Sequence, residues 1–308
     1  MKRTPWCFLW LWMILVLMVG NSCQTVPPPV VSMPVDIWLG GDVHLGKGNT
    51  NVLAPLKSIT HNATGIINLE GAVAETSSLR EGIVLLNAPH RLAILKEAGV
   101  AVAGVANNHA QDAGDQSLSH TIEQVRMAGL LPVGEMAGTA VFERERMRLV
   151  VSAHDLTGGV PPRLAEELRR ARAQGDILIA TFHVTGPPSY LPSRELKQAV
   201  DIALSAGAQV IAAHGSHLPG PIERRGTVVI FWGLGNLVFD CDCTAEKDAL
   251  VARITFDQGQ VIKAQVFPIE AGLNGAPARL SANPAGMFEL LTAIGSSPFQ
   301  SDTDQADF

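Results

Sequence analysis

The hydrophobic positions of the chain alternate between short apolar runs and longer amphipathic segments. Runs rich in β-branched residues predict buried strands at residues 35–39, 66–69, 100–105, 177–182, 210–213 and 227–231. Segments with apolar residues three and four positions apart predict helices at residues 89–98, 115–129, 163–174, 193–207 and 285–294. Strands that alternate with helices are typical of an α/β fold.

Two hairpins and the C-terminal region complete the pattern. One hairpin is predicted at residues 141–153, and another at residues 250–269, where a Gly-containing turn joins two alternating strands. Residues 296–308 are polar and acidic, so we expect them to be disordered. The pattern therefore predicts one folded domain at residues 35–271, followed by a C-terminal helix and an acidic tail at residues 272–308.

The N-terminal region has the pattern of an export signal. Lys2 and Arg3 precede an uncharged apolar stretch at residues 6–19, which has the length of a signal-peptide core. Small residues then precede Cys23, which resembles a bacterial lipobox with Gly20 in place of the usual leucine. We expect a signal peptide at residues 1–22, a lipid on Cys23 and a membrane-anchored, extracytoplasmic protein; an uncleaved membrane anchor is the alternative.

Composition narrows the class of protein. Residues 23–34 are proline-rich and predict an extended linker between the lipid and the domain. The apolar share of 47% and charged share of 17% suit a folded protein, and the net charge of −6 without a basic stripe argues against nucleic acid as a partner. Cys241 and Cys243 predict a thiol pair or a local disulfide, because no second cysteine pair is present for a metal site.

Polar residues follow the predicted strands at their carboxyl ends, which is where α/β sheets bind ligands. They are Asp42 and His44, Glu70, Asn108 and His109, His183, and His214 with His217. Carboxylate, imidazole and amide groups together suit borderline divalent ions, and Glu70 could bridge a pair of them. In the stretch GVANNHAQDAG, the alternative is that the asparagines form a turn, His109 is a surface residue, and Asp112 starts a helix.

These motifs carry a family resemblance. GDVHLG, NLEGAV, ANNHAQDAG, the isolated His183, GAQVIAAHGSHLPGPIE and FWGLGNLVFD, in this order, look like the CapA family of bacterial capsule and poly-γ-glutamate synthesis proteins. That family is related to the calcineurin-like metallophosphoesterases. The resemblance implies a four-layer αββα sandwich that holds one or two divalent ions of manganese, zinc or iron.

The resemblance also implies a role for each residue. Asp42, His44 and His217 would hold one ion; Asn108, His183 and His214 would hold the other; and Glu70 would bridge them. His109 would act as a general acid, and Asp112 would orient its loop. The family usually reads GHHPH where this chain has AHGSH, a tryptophan-glycine where it has Val184-Thr185, and an aspartate where it has Gln209.

Three functions are open at this point. The resemblance favours a protein that helps to make or attach an anionic surface polymer, with membrane synthase subunits as partners. The second is a metal-dependent phosphodiesterase or phosphatase that acts on periplasmic phosphoesters. The third is a non-catalytic module that binds the polymer or assembles the synthase on the same fold.

Overall fold

The computed structural model describes residues 33–78 and 82–308, so the predicted signal peptide, Cys23 and most of the linker lie outside the described residues. The strands in chain order are β1 Val35–His44, β2 Thr64–Leu69, β3 Ala72–Val73, β4 Leu86–Asn87, β5 Val100–Gly104, β6 Leu131–Val133, β7 Ala140–Arg144, β8 Met147–Asp155, β9 Ile177–His183, β10 Val210–His214, β11 Ile222–Arg225, β12 Val228–Phe231, β13 Asn236–Phe239, β14 Asp248–Asp257, β15 Gln260–Glu270, β16 Gly272–Leu273, β17 Arg279–Leu280, β18 Gln300–Ser301 and β19 Ala306–Asp307. The helices are α1 Lys57–Thr60, α2 Leu92–Glu97, α3 Ser117–Met127, α4 Leu164–Arg172, α5 Arg194–Ser205 and α6 Pro284–Ala293, with 3₁₀ turns at Ala54–Leu56 and Pro89–Arg91.

The strands form two large sheets. The first has the order β18-β19-β15-β14-β1-β2-β5-β6, and β13 pairs with the carboxyl end of β1, where β14 no longer reaches. The second has the order β11-β12-β10-β9-β8-β7. β1, β2, β5 and β6 run parallel in the first sheet, and β8, β9, β10 and β12 run parallel in the second.

Because side chains alternate along each strand, the core consists of three hydrophobic clusters, one between each pair of neighbouring layers. In β1, Val35, Ile37 and Leu39 join the cluster that holds residues from both sheets, whereas Trp38 joins the cluster beneath α2 and α3. A third cluster packs α4 and α5 on the second sheet. The architecture is therefore a four-layer αββα sandwich, which confirms the predicted fold class. Among the described residues, no helix combines the length and the apolar character needed to cross a bilayer.

Two of the predicted helices differ in how they begin. Ser193 is the N-cap of α5 and its side chain accepts a hydrogen bond from the Leu196 backbone N–H, at 3.1 Å, as its sequence position predicts. The helix predicted to start at Asp115 begins two residues later, at Ser117, and its N-cap Gln116 makes no side-chain cap bond. The turn after Asn108 is longer than the helical pattern suggested.

The tail also differs from expectation. Instead of being disordered, residues 300–307 form β18 and β19, and β19 pairs with β15. Phe299 and Phe308 stack with ring centroids 4.8 Å apart, and Phe299 also contacts Phe288 of α6. These few apolar side chains order a mostly polar segment because they pack against the hydrophobic core that α6 and the first sheet already form.

Candidate metal centre

Parallel strands bring the predicted site residues to one edge of the sandwich. In the first sheet Asp42 of β1 lies opposite Asn68 of β2, and in the second sheet His214 of β10 lies opposite His183 of β9. Because these strands run in the same direction within each sheet, their carboxyl ends deliver polar side chains from both sheets into the same space.

The centre of this space holds two buried carboxylates. Asp42 and Glu70 are each 1% exposed, and together with His217 they present ligand atoms that all lie within 4.8 Å of one another. Within the described residues, the ion-pair partners of both carboxylates are histidines alone. Burial, with the charge of Asp42 as the next cause, holds the pKa of the Glu70 carboxyl well above its ordinary value. Two buried acids without a cationic side chain favour a cation between them.

The tautomer of His217 strengthens this conclusion. Its Nδ1 donates to the amide oxygen of Asn236 at 2.9 Å, since that oxygen can only accept. Nε2 therefore carries a lone pair, and it lies 4.0 Å from Oε1 of Glu70. Among the described residues the buried atoms Glu70 Oε2 and His214 Nδ1 make no hydrogen bond. Lone pairs that face one another in a buried site are what a divalent ion satisfies.

Asn108 and His183 form the second half of the site. His183 Nε2 donates to Asn108 Oδ1 at 2.7 Å, and its Nδ1 accepts from Asn68 at 3.3 Å. Asn68 also donates to Asp42 Oδ1 at 2.9 Å, so it links the two halves. Burial lowers the pKa of His183 to about 4, which keeps the imidazole neutral and suitable as a ligand.

The remaining predicted ligands occupy different positions. His214 is buried with Nδ1 3.7 Å from Oδ1 of Asp42, whereas His44 is outside the group formed by Asp42, Glu70 and His217. His44 Nε2 donates instead to the carbonyl oxygen of Leu86 at 3.1 Å, and its Nδ1 is buried without a partner among the described residues. Burial lowers the pKa of both His44 and His214.

A paired histidine and aspartate stand beside the metal centre. His109 Nδ1 contacts Asp112 Oδ2 at 2.7 Å, and the same oxygen accepts from the Leu85 backbone N–H at 2.7 Å. His109 lines a cleft of about 420 Å³ together with Glu70, Asn108, His183 and His217. Asp112 therefore fixes the ring of His109 at the wall of the cleft that contains the metal ligands.

Sequence reasoning missed two asparagines that organise these ligands. Asn68 stands two residues before Glu70, so strand alternation places both on one face of β2 and its extension, a signal that was available. Asn236 lies in the LGN motif and accepts from His217, while its amide donates to the Glu246 carbonyl oxygen at 3.3 Å. Both side chains act through the residues they position.

The departures from the family pattern have structural explanations. Gly215 stands where the family has its additional histidine; it has φ of +83°, and a Cβ there would lie 2.0 Å from the Val184 carbonyl oxygen. Its N–H donates to Asp42 Oδ2 at 2.9 Å and so helps to position that carboxylate. Gln209 immediately precedes β10, and its side chain accepts a hydrogen bond from the Leu178 backbone N–H of β9. It therefore connects β10 to β9 and has no part in the site.

Comparison with known proteins identifies the family. Residues 36–241 match the family described as bacterial capsule synthesis protein PGA_cap, and this range includes every residue of the candidate metal centre. The chain belongs to the PGA_cap family. The CapA resemblance that the motifs carried is thereby confirmed.

Individual relatives agree with this assignment. The chain is 26% identical to the PGA biosynthesis protein CapA of Bacillus subtilis over 201 residues, which are 58% of this chain and 52% of that protein. It is 24% identical to the probable polyglutamine synthesis accessory protein Rv0574c of Mycobacterium tuberculosis over 248 residues, 66% of this chain and 65% of that one. The chain thus spans about half to two thirds of the length of these curated relatives.

A solved structure shares the fold. A hypothetical protein from Thermus thermophilus superposes with a TM-score of 0.53 at 14% identity, covering 77% of this chain and all of the other. At this identity the likeness concerns the sandwich fold alone.

Proposed function

We propose that this PGA_cap protein is exported, is anchored by a lipid on Cys23, and acts in the synthesis of capsule or poly-γ-glutamate by cleaving or transferring a phosphoester. The observation that carries the catalytic part is that Glu70, His217 and His109 line one cleft, with Asp42 beside the first two and Asp112 bonded to His109. Relatives named for capsule and PGA biosynthesis support the biological part.

The donor set defines how an ion would be held. Asp42 and His217 would bind one ion, Asn108, His183 and His214 a second, and Glu70 would be shared between them. Carboxylate, imidazole and amide ligands suit manganese, zinc or iron. Once bound, such ions polarise a phosphoryl oxygen and neutralise its charge. The sequence also assigns His44 to the first ion; because its Nε2 donates to the Leu86 carbonyl oxygen, its buried Nδ1 would be the ligand atom.

His109 supplies the proton in this proposal. The Asp112 carboxylate accepts a hydrogen bond from Nδ1–H and orients the ring. As the oxygen of water, or of an acceptor hydroxyl in a transfer, bonds to phosphorus, the phosphorus–oxygen bond of the ester breaks and the ring donates the proton of its other nitrogen to the leaving oxygen. The phosphoester substrate would be an intermediate of the anionic polymer, and the partners would be membrane synthase subunits.

Turnover of an aryl phosphodiester by the manganese-loaded protein tests the mechanism. His109→Ala should lower the rate by about 10²–10⁴-fold, the usual contribution of a positioned acid or base, with the metal content unchanged. The exposed His120→Ala on α3 is the matched control and should retain full activity. Equal rates for His109→Ala and the wild type would contradict the proposed role.

A non-catalytic role is the second candidate, and Gly215 is the observation that favours it, because a ligand-bearing position of the family pattern is occupied by glycine. Such a module would bind the surface polymer or a synthase subunit in the cleft. Metal-loaded protein that retains its ions but turns over neither phosphodiesters nor phosphomonoesters would support this function and exclude the catalytic one.

The anchor has its own test. Cells that express the full chain should incorporate labelled palmitate into the protein, and Cys23→Ser should abolish that incorporation. Cys7→Ser is the matched control, because Cys7 lies within the predicted signal and should be removed with it. Palmitate that persists in Cys23→Ser would refute the assignment.

A further inference from the structure

A second polar cavity lies between β8, the turn after β6, and α4. Its volume is about 490 Å³, within the range of small-molecule sites. Ser152, His154, Glu167 and Arg170 contribute to its lining, and none of its lining residues borders the metal cleft. The cavity is thus distinct from the site described above.

Ser152 and His154 form a direct hydrogen bond inside this cavity. They are two residues apart on β8, so both side chains leave the same face of the strand. Ser152 Oγ lies 2.8 Å from His154 Nε2, and each residue is 5% exposed. A hydroxyl and an imidazole at this distance are the pair that activates a serine for nucleophilic attack.

Glu167 of α4 completes the arrangement. Its Oε2 lies 3.7 Å from His154 Nδ1, and its side chain is 42% exposed, so a change of rotamer can shorten the contact. Burial lowers the pKa of His154 to about 4, so the ring is neutral near pH 7. A neutral ring with its proton on Nδ1, facing Glu167, has a lone pair on Nε2 for the serine hydroxyl.

We propose that Ser152, His154 and Glu167 form a second reactive site, in which Ser152 is a nucleophile toward the carbonyl carbon of a small carboxylic ester. Ester chemistry fits this cavity better than phosphate chemistry, because two carboxylates, Glu135 and Glu167, border it against one guanidinium, that of Arg170, which is already paired with Glu166. A phosphate dianion would therefore be repelled. A neutral ester carries no such penalty.

The reaction follows from the geometry. Ser152 Oγ forms a bond to the carbonyl carbon as its proton passes to His154 Nε2. The bond between that carbon and the alcohol oxygen then breaks, and the alcohol leaves with the proton from Nε2. Water attacks the acyl-serine, its proton passes to the same nitrogen, and the released carboxylic acid leaves Ser152 with its hydroxyl restored.

A fluorophosphonate probe tests the nucleophile, because it forms a bond to an activated serine and releases fluoride. Incubation of the full chain should give one adduct that peptide mapping places on Ser152. Ser152→Ala should lose the adduct, whereas the exposed Ser119→Ala on α3 should keep it. His109→Ala should also keep it, which separates this site from the metal centre.

The absence of an adduct on Ser152 in folded wild-type protein would overturn the proposal. Undiminished labelling in Ser152→Ala would overturn it as well, because another residue would then be the nucleophile. Circular dichroism of the same samples establishes that each variant is folded, and Ser152→Ala removes a single oxygen from a buried position, so its fold should be retained.

Glu167 is a positioning residue here, and its test reads the imidazole directly. In the wild type, ¹⁵N chemical shifts should show the proton of His154 on Nδ1. Glu167→Gln should give a mixture of tautomers and slow labelling by about tenfold or more, while Glu166→Gln, one residue earlier on α4 and paired with Arg170, should change neither. An unchanged tautomer and rate in Glu167→Gln would exclude its positioning role.

Discussion

Replacing Glu70 by glutamine tests the metal centre through the sign of a stability change. The side chain is 1% exposed, its carboxylate lies near Asp42, and Oε2 has no hydrogen-bond partner among the described residues. Glutamine keeps the volume and removes the charge. In metal-free protein we expect Glu70→Gln to raise the free energy of unfolding by about 1–2 kcal/mol, the scale of an unsatisfied buried group. That corresponds to an increase of about 2–8 °C in Tm for a domain of this size.

The pH dependence of the metal-free protein has a definite direction. Because the pKa of Glu70 is raised above its ordinary value of 4.5 in the folded state, its contribution to stability is complete below pH 4.5 and is lost as pH rises toward the folded-state value. Glu70→Gln should lack this loss. The difference in Tm between variant and wild type should therefore grow as pH increases above 4.5.

Metal should reverse the order of the two proteins. At a free ion concentration of 100 Kd, binding stabilises the wild type by about 2.7 kcal/mol. Glu70→Gln lacks one anionic ligand, so it should bind more weakly and gain less. Differential scanning calorimetry with EDTA and then with manganese measures both states, and elemental analysis of the dialysed proteins gives the ion content.

An exposed glutamate provides the control. Glu75 has a side chain that is 64% exposed and lies 3.9 Å from His90, so Glu75→Gln should alter stability by less than about 0.5 kcal/mol with or without metal. The reasoning is refuted if Glu70→Gln destabilises the metal-free protein, or if manganese stabilises Glu70→Gln as much as the wild type.

Three further changes test other parts of the structure. Gly215→Ala should lower the free energy of unfolding by about 3 kcal/mol or more and weaken metal binding, because the new Cβ would lie 2.0 Å from the Val184 carbonyl oxygen. Gly159→Ala, at a φ of +93° in open space, is the control and should lower the free energy of unfolding by only about 1–2 kcal/mol in denaturant unfolding. The wild type should lose about 3 kcal/mol of stability as pH falls from 6.5 to about 4, because the folded protein resists protonation of His154, and His154→Gln should lack this loss. Urea unfolding across that pH range measures the difference, and the same pH dependence in both proteins would contradict the assignment. Asn236→Ala should weaken manganese binding by about 10–100-fold in calorimetry, since His217 loses the amide oxygen that accepts from its Nδ1; wild-type affinity would show that the ring needs no such support.

The hydrophobic periodicity of the sequence was sufficient to predict the fold class, because the long strands bury one or both of their faces. The runs at residues 35–39 and 177–182 lie within β1 and β9, and both hairpins were placed correctly. The two-residue strands β16 to β19 have no such pattern. They exist because longer strands already present an edge with which a short segment can pair, and that edge is absent from any local window of sequence.

His44 shows where the same reasoning reaches its limit. Simple alternation places Asp42 and His44 on one face of β1, and this led to the expectation that both bind one ion. In the structure, His44 Nε2 donates to the carbonyl oxygen of Leu86, and Nδ1 is buried without a partner among the described residues. Local sequence does not encode this contact, because it joins residues 42 positions apart in the chain. The role of His44 as a metal ligand stays a prediction.

The candidate metal ligands were easier to predict from sequence than the asparagines that hydrogen-bond to them and hold them in place. Carboxylates and histidines at strand ends are conspicuous by their chemistry, whereas an asparagine within a strand has no role until its partners are known. Asn68 gains its role from Asp42 and His183, which lie 26 and 115 residues away in the chain. Its two donors connect an acceptor from the first sheet to one from the second. The Asn68 amide therefore links Asp42 of the first sheet to His183 of the second. Its loss should disturb the positions of these two ligands more than it lowers the stability of the fold.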